Sequence, residues 1–299
     1  MKYGENLYPV GTIPEQRTDG AYMNETLAKN LDIYAKKIAN DMHFLIVITG
    51  NDSVGNGKTT IATQVASYLT WKINQLHKTD NDFTADNVYF NAKKLSKESL
   101  SKPPLTVHLL DEGDDLTTHG MKELAVRLKR YFRKCRQLNQ IIILILPSFF
   151  ELPKFYAMAR SHCLINVKFY GEFERGLFDF FGPTKKKLLY IKGKKEWDYD
   201  CIKPDFTGNF NASYNFLTKN PPEDLDKEVK KYLRKKFEDT RDDQEDVFEE
   251  ADKRKWTRQL FMELKEKMPK VTMGQWAEGF SVHKSTLYQW IADEKVGNF

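Results

Sequence analysis

The sequence predicts an α/β protein with a mainly parallel sheet, antiparallel hairpins at the edge of that sheet, and a small all-α domain near the C-terminus. Short apolar runs alternate with segments of helical periodicity up to residue 200, which is typical of a parallel sheet with helices on both faces. The chain then becomes highly charged, and helical spacing returns from residue 256. We therefore expect an N-terminal arm (1–24), an α/β domain (25–200), a charged linker or helix (201–255) and an all-α domain (256–299).

Hydrophobic periodicity indicates the elements of the α/β domain one by one. Apolar residues at helical spacing predict an amphipathic helix over residues 25–41, directly before the first strand. Short apolar runs predict buried strands at 44–49, 87–90, 106–110, 141–146 and 163–167. Further helices are expected from residue 58, over 121–135 and over 152–160. Between residues 170 and 199, aromatic runs broken by glycines indicate the edge hairpins.

Composition limits the class of protein. The longest apolar run, Ile141 to Leu146, is far too short to cross a bilayer, so we expect no membrane span. The N-terminus lacks the apolar region of a secretory signal peptide, which favours a cytoplasmic protein. The three cysteines form no CxxC pair, so neither a disulfide framework nor a zinc site is indicated. A net charge of +5 permits an anionic partner without requiring one.

A glycine-rich turn joins the first strand to the helix that begins at Lys58. Such a turn lets backbone N–H groups surround phosphates, Lys58 can reach the β- and γ-phosphate oxygens, and the Thr59 hydroxyl can ligate Mg²⁺. The segment resembles the phosphate-binding loop of P-loop nucleoside triphosphatases, although Asp52 stands where the signature has glycine. The alternative is a turn that only connects strand to helix. The resemblance implies that ATP contacts Gly50, Asp52, Ser53, Val54, Gly55, Asn56, Gly57, Lys58, Thr59 and Thr60.

A second acidic motif follows the strand predicted at 106–110. Asp111 and Glu112 come directly after this apolar run, downstream of the glycine-rich turn. Phosphoryl transfer needs a metal held near the phosphates and, for hydrolysis, a carboxylate that orients or deprotonates water. The pair resembles the Walker B motif of ATPases, with Asp111 as a second Mg²⁺ ligand beside Thr59 and Glu112 as the catalytic carboxylate. The alternative is a solvated turn at the end of a strand.

Several polar residues are candidates for a supporting role. Arginines repeat every third residue on the helix predicted at 121–135, at Arg127, Arg130, Arg133 and Arg136. Arg130 on this helix, or Arg160 at the end of a later one, could present its guanidinium to the nucleotide of a neighbouring subunit. The arginine face could instead touch DNA or serve only solubility. Ser148 could sense the γ-phosphate or form an ordinary turn, and the lysines at 185–187 and 192–195, on the predicted hairpins, would suit a nucleic-acid backbone.

The C-terminal segment has the spacing of three short helices. An amphipathic helix over 256–268 precedes helices at Thr272–Gly279 and His283–Ile291, which resemble a DNA-binding helix-turn-helix. Ser281 replaces the usual turn glycine, and His283 stands where a serine or threonine would cap the helix. The resemblance places Ala277, Val282, Leu287 and Trp290 in the core. It places Lys284, Ser285, Tyr288 and Gln289 toward DNA. The alternative is a three-helix bundle that binds protein.

Taken together, residues 41–195 resemble the P-loop ATPase group of the FtsK and HerA translocases, phage packaging ATPases and zonular-occludens-toxin-like proteins. The resemblance implies an ATP hydrolase that forms a homo-oligomeric ring and moves or loads double-stranded DNA, with ATP and Mg²⁺ as cofactors. The pair Pro147-Ser148 departs from the glutamine that FtsK and HerA relatives carry there. The expected function is a viral or mobile-element DNA packaging or translocation motor. The alternatives are a replication or transposition helper ATPase, a nucleotide kinase and an ATP-controlled transcriptional switch.

Overall fold

The structure, a computed structural model, describes residues 22–40, 42–50, 55–111, 138–170, 174–212, 231–236, 257–269, 271–280 and 282–295. The chain divides into two compact units, Met1–Lys236 and Phe237–Phe299. In the described part of the chain, no helix is both long enough and apolar enough to cross a membrane. The predicted arm (1–24) lies almost entirely outside the described residues, as does the predicted arginine helix.

The first unit combines a sheet with helices. Its elements in chain order are α1 (Glu25–Lys37), β1 (Phe44–Thr49), α2 (Lys58–His77), β2 (Val88–Tyr89), α3 (Ala92–Glu98), β3 (Val107–Asp111), β4 (Ile141–Ile145), β5 (Cys163–Tyr170), β6 (Glu174–Phe181), α4 (Pro183–Gly193), β7 (Phe206–Asn209) and α5 (231–236). The five strands predicted from apolar runs are all present. The helix expected over 152–160 begins at residue 154, and its last five residues, Tyr156–Arg160, are π-helical. A 3₁₀ turn at Phe149–Glu151 precedes it.

The described strands form a seven-stranded mixed sheet in the order β2-β3-β4-β1-β5-β6-β7. The first five strands of that order run parallel, with Val47 of β1 paired to Leu144 of β4 and to Leu164 of β5. Strands β6 and β7 add antiparallel pairs at one edge. The prediction of an α/β fold with a mainly parallel sheet and antiparallel edge pairing is therefore confirmed.

Helices cover both faces of the sheet, and the alternation along β1 shows how. Phe44, Ile46 and Ile48 belong to a core that includes the buried sides of α1 and α2. Leu45 and Val47 belong to the opposite core, which includes residues of α3 and α4. Because successive side chains of a strand point to opposite faces, a strand that is buried throughout requires this arrangement.

The prediction of hairpins over residues 170–199 is only half right. Strands β5 and β6 form one antiparallel pair, but residues 183–193 form helix α4. Pro183 occupies the first turn of α4, where its missing N–H costs nothing. Lys186, Leu189, Tyr190 and Gly193 recur at helical spacing on its buried side. The run of lysines at 185–187 therefore lies on a helix and not on a hairpin.

The predicted linker at 201–255 also contains structure that belongs to the first unit. Strand β7 extends the sheet beyond residue 200, and the division into units falls at residue 236 instead of 255. Helix α5 packs on the first core through Tyr232, whose ring lies 5.4 Å from that of Phe90. Lys231 forms an ion pair with Asp86, with Nζ and Oδ2 2.5 Å apart. A charged segment without enough apolar residues for its own core can still complete the core of its neighbour.

The second unit contains three described helices, α6 (257–267), α7 (Met273–Gly279) and α8 (Lys284–Lys295). Thr272 caps α7 through a reciprocal capping box with Gln275. The core is formed by Phe261, Trp276, Ala277 and Leu287, with Val282 and Trp290 packed against it. The helix positions and the four core positions predicted from the sequence are thus observed.

Candidate functional site

The carboxyl end of β1 leads through a glycine-rich turn into the N-terminus of α2. Gly55 (φ +75°) and Gly57 (φ +99°) both adopt the left-handed region, which favours glycine over residues with a side chain. Gly57 is the N-cap of α2, and Lys58 is its first residue. The first N–H groups of a helix have no partner inside the helix, so the start of α2 is suited to bind an anion.

Two residues predicted to bind metal lie side by side at this edge of the sheet. The Thr59 hydroxyl donates to the Asp111 carboxylate, with Oγ1 and Oδ2 3.0 Å apart. Thr59 stands in the first turn of α2, and Asp111 is the last residue of β3 and is mostly buried. Hydroxyl and carboxylate oxygens are ligands that Mg²⁺ prefers, and Mg²⁺ usually takes only one or two protein ligands and keeps several waters. The donor set therefore fits Mg²⁺.

Asn56 holds the turn in place, a role that the sequence did not reveal. Its side chain is fully buried, and Nδ2 donates to the carbonyl oxygens of Gly50 (2.9 Å) and Val167 (3.1 Å). A Cβ atom on Gly50 would lie only 2.0 Å from this Nδ2, so the approach requires glycine. Asn56 thus ties the turn to both β1 and β5. Val167 lies 111 residues further along the chain, which is why local patterns could not show it.

Residues on β6 and directly after β7 contact the same turn. The Phe210 ring lies 3.2 Å from the position of a Cβ on Gly57, and an Nη atom of Arg175 lies 3.6 Å from that position on Gly55. Gln64 of α2 donates to the carbonyl oxygen of Asn211 at 2.9 Å. Nothing in the local sequence marks these four residues, because their contacts with the turn join parts of the chain that are far apart.

Helix α5 reaches the same edge of the sheet from another direction. The Tyr232 hydroxyl hydrogen-bonds the Asp111 carboxylate; burial and this negative charge together raise the pKa of Tyr232 well above its usual range. Lys235 donates to the carbonyl oxygen of Val88 at 2.8 Å and lies over the Tyr89 ring. The segment predicted as a charged linker therefore contacts a predicted metal ligand.

The remaining predicted residues are placed differently. Thr60 is buried, and its carbonyl oxygen accepts a hydrogen bond from the Thr63 hydroxyl within α2. Arg160 precedes β5 and lies beside His43, which precedes β1. Because β1 and β5 are parallel, Arg160 stands at the amino edge of the sheet, opposite to Lys58. Within its own chain it cannot reach the turn. Outside the described residues lie Asp52, Ser53, Val54, Glu112 and Arg130.

Ser148 and the lysines of α4 have structural explanations. The Ser148 hydroxyl is fully buried, lies 3.3 Å from the Tyr199 hydroxyl and caps a 3₁₀ turn. Lys186 is also fully buried and donates to the carbonyl oxygen of Ala157. Burial lowers the pKa of Lys186 to about 8. Lys186 therefore cannot belong to the basic surface that was predicted to bind nucleic acid. The other lysines of that surface that are exposed are Lys187, Lys192, Lys194 and Lys195.

In the second unit, the residues predicted to face DNA are exposed on α8. They are Lys284, Ser285, Tyr288 and Gln289, around the buried Leu287. His283 caps the N-terminus of α8 in place of a serine or threonine, because its Nδ1 accepts a hydrogen bond from the backbone N–H of Ser285 at 3.3 Å. The exposure agrees with a binding face, and DNA as its ligand stays a prediction.

Comparisons with protein-family models, curated proteins and solved structures gave no match to this chain.

Proposed function

We propose that this chain is a Mg²⁺-dependent ATPase that acts on double-stranded DNA as a packaging or translocation motor of a virus or mobile element. The observation that carries the proposal is the 3.0 Å approach of the Thr59 hydroxyl to the Asp111 carboxylate. It brings together two hard oxygen ligands from distant parts of the chain, beside a helix N-terminus that begins with Lys58 and two left-handed glycines.

The proposed roles follow from these positions. The left-handed glycines allow backbone N–H groups near the start of α2 to face the phosphates, and Lys58 binds the β- and γ-phosphate oxygens. Thr59 and Asp111 would hold Mg²⁺, which when bound offsets the negative charge of the β- and γ-phosphates. Glu112 follows Asp111 directly and orients the attacking water in this proposal.

The second unit serves as the DNA-binding module in this proposal. Supporting it are the exposed side chains on α8 and their resemblance to a helix-turn-helix recognition helix. Lys284 and Ser285 would contact phosphates, whereas Tyr288 and Gln289 would contact base edges. A homo-oligomeric ring, which the resemblance implies, is also part of the proposal. In such a ring Arg160 could contact a nucleotide only on a neighbouring subunit.

The test is steady-state ATP hydrolysis by the full chain with and without double-stranded DNA. We expect Mg²⁺-dependent hydrolysis that DNA stimulates. The control is Glu112→Gln, which should bind ATP and fail to hydrolyse it, because glutamine cannot accept the proton of the water. Absent or DNA-independent hydrolysis by the wild type would contradict the proposal, as would equal rates for the wild type and Glu112→Gln.

A further inference from the structure

An arginine of the same chain lies over the glycine-rich turn. Arg175 is the second residue of β6, and one of its Nη atoms lies 3.6 Å from the position that a Cβ on Gly55 would occupy. Gly55 is three residues before Lys58 and has a left-handed φ of +75°. The Arg175 residue itself is exposed.

The start of β6 is anchored against the turn by contacts on both sides of Arg175. Glu174 pairs with Tyr170 of β5. Gly176 (φ +113°) accepts from the N–H of Phe210 at 2.8 Å, and a Cβ there would lie 2.8 Å from the Phe210 carbonyl oxygen. Only glycine fits such a position, since both the space and the φ angle exclude a side chain.

Phe210 connects this anchor to the beginning of α2. Its ring lies 3.2 Å from the Cβ position of Gly57, and the next residue, Asn211, accepts from Gln64 of α2. The backbone that follows Arg175 is therefore linked to α2, through Phe210 and Asn211, by hydrogen bonds and close packing. With its backbone already placed, Arg175 needs only its side chain to be ordered when it binds a ligand.

We propose that Arg175 is a catalytic residue that acts in cis, donating hydrogen bonds to the γ-phosphate of ATP bound at the glycine-rich turn. The inference rests on the proposed ATPase function. In hydrolysis, the water oxygen forms a bond to the γ-phosphorus while the bond to the bridging oxygen breaks. The electron pair of that bond leaves with ADP, and the proton of the water ends on the released phosphate by way of Glu112.

The guanidinium of Arg175 neither gives nor takes a proton in this step. It stabilises the negative charge on the γ-phosphate oxygens and on the bridging oxygen, where charge accumulates as the bond breaks. Arginine suits this task because its planar group stays charged and can donate two parallel hydrogen bonds. Arg160, at the opposite edge of the sheet, is excluded from this role within one chain.

The first experiment compares Arg175→Ala and Arg175→Lys with the wild type, and with Lys97→Ala at an exposed position of α3 as the matched control. We expect kcat to fall by about 1,000-fold in Arg175→Ala, the scale on which arginines near a γ-phosphate act. ADP affinity should stay unchanged, and affinity for ADP with aluminium fluoride, which mimics the transition state, should fall with kcat. Arg175→Lys should lie between, since lysine keeps the charge and loses the paired donors.

A mixing experiment separates action in cis from action in trans. Arg175→Ala is mixed with Lys58→Ala, which keeps Arg175 and is expected not to bind ATP. If Arg175 acts in cis, the mixture stays inactive. Recovery of hydrolysis in the mixture would show that Arg175 acts on a neighbouring subunit and would overturn the proposal.

The outcomes also separate this inference from the proposed function. A wild type that hydrolyses ATP, together with an Arg175→Ala variant of the same kcat, would overturn the role of Arg175 and leave the ATPase intact. A wild type that binds no ATP would overturn both. Equal thermal midpoints for Arg175→Ala, Arg175→Lys, Lys97→Ala and the wild type would show that any loss of activity does not come from unfolding.

Discussion

The Thr59 hydroxyl lies 3.0 Å from the Asp111 carboxylate, across 52 residues of chain. This contact joins the first turn of α2 to the end of β3, so it places two oxygen ligands beside the N-terminus of a helix. In the proposed ATPase, Thr59 and Asp111 would exchange their mutual hydrogen bond for contacts with Mg²⁺ when the nucleotide binds.

The pair leads to a prediction about metal dependence. Thr59→Ala and Asp111→Asn each remove one oxygen ligand or its charge, so each should raise the Mg²⁺ concentration needed for half-maximal hydrolysis by about tenfold or more. Thr59→Ser keeps the hydroxyl and is the control. Titration with Mg²⁺ at saturating ATP measures the effect. The double variant should lose less than the sum of the two single losses, because the residues act on one ion; strict additivity would argue against a shared site.

Lys58 is expected to be essential for nucleotide binding. Replacement by alanine removes the positive charge that the proposal places at the β- and γ-phosphates, so affinity for ATP should fall by at least about 100-fold, on the scale of a lost pair of charge-assisted hydrogen bonds. Binding of a fluorescent ATP analogue measures this. Lys192→Ala, on the exposed side of α4, should bind as the wild type does. Comparable affinity in Lys58→Ala would show that the turn is only a connection.

Tyr232 should stabilise the first unit through its bond to Asp111. Tyr232→Phe keeps the ring against Phe90 and removes a hydroxyl that donates to a buried carboxylate, so the free energy of unfolding should fall by about 1.5–3 kcal/mol. Chemical denaturation measures the change. Thr184→Val, which removes a hydroxyl at an exposed position of α4, is the control and should change stability by less than about 0.5 kcal/mol. Equal stability of Tyr232→Phe and wild type would mean that α5 does not depend on this bond.

His108 should make the protein sensitive to acid. It is fully buried on β3, neither ring nitrogen has a hydrogen-bond partner among the described residues, and burial lowers its pKa from 6.5 to about 3. Between these two values the unfolded chain binds a proton that the folded protein does not, so stability falls as the pH falls from 6.5 toward 3.

The variant His108→Leu tests whether this histidine causes the loss of stability at low pH. In this variant the fall in stability between pH 6 and pH 4 should be shallower by about 1.4 kcal/mol per pH unit, the value of one proton. Denaturation at several pH values measures the slopes. Thr184→Val, at an exposed position of α4, changes no titratable group and should keep the wild-type slope. Parallel slopes for His108→Leu and wild type would contradict a buried neutral imidazole.

The exposed face of α8 should bind DNA through two kinds of contact. Lys284→Ala should weaken binding to all sequences alike and lower the dependence of log affinity on log salt by about 1, because one phosphate contact is lost. Gln289→Ala should instead relax the preference at one base pair. Binding to a set of duplexes at several salt concentrations separates the two effects. Lys267→Ala on α6 is the control, and unchanged binding by both α8 variants would favour a protein-binding bundle.

Prediction from the sequence succeeded where the signal is local. The strands of the parallel sheet are short apolar runs, and the helices α1, α2, α7 and α8 show their periodicity and, at Thr272, their cap. It failed at α4, where aromatic and glycine residues imitate a hairpin although Pro183 and the spacing of Leu189 and Tyr190 fit a helix. That signal was available in the sequence, and a closer reading of periodicity would have found it.

The candidate site divides in the same way. Local sequence patterns predict the glycine-rich turn, Lys58, Thr59 and Asp111 as candidates, because a strand, a turn and a helix start are encoded within a few residues. Four other features became visible only in the folded chain: Asn56 ties the turn to β5, Tyr232 reaches Asp111, Arg175 lies at Gly55, and Arg160 stands at the opposite edge of the sheet. The physical reason is that these contacts join residues far apart in the chain, and they are set by strand order and by packing against the sheet, which no local pattern records.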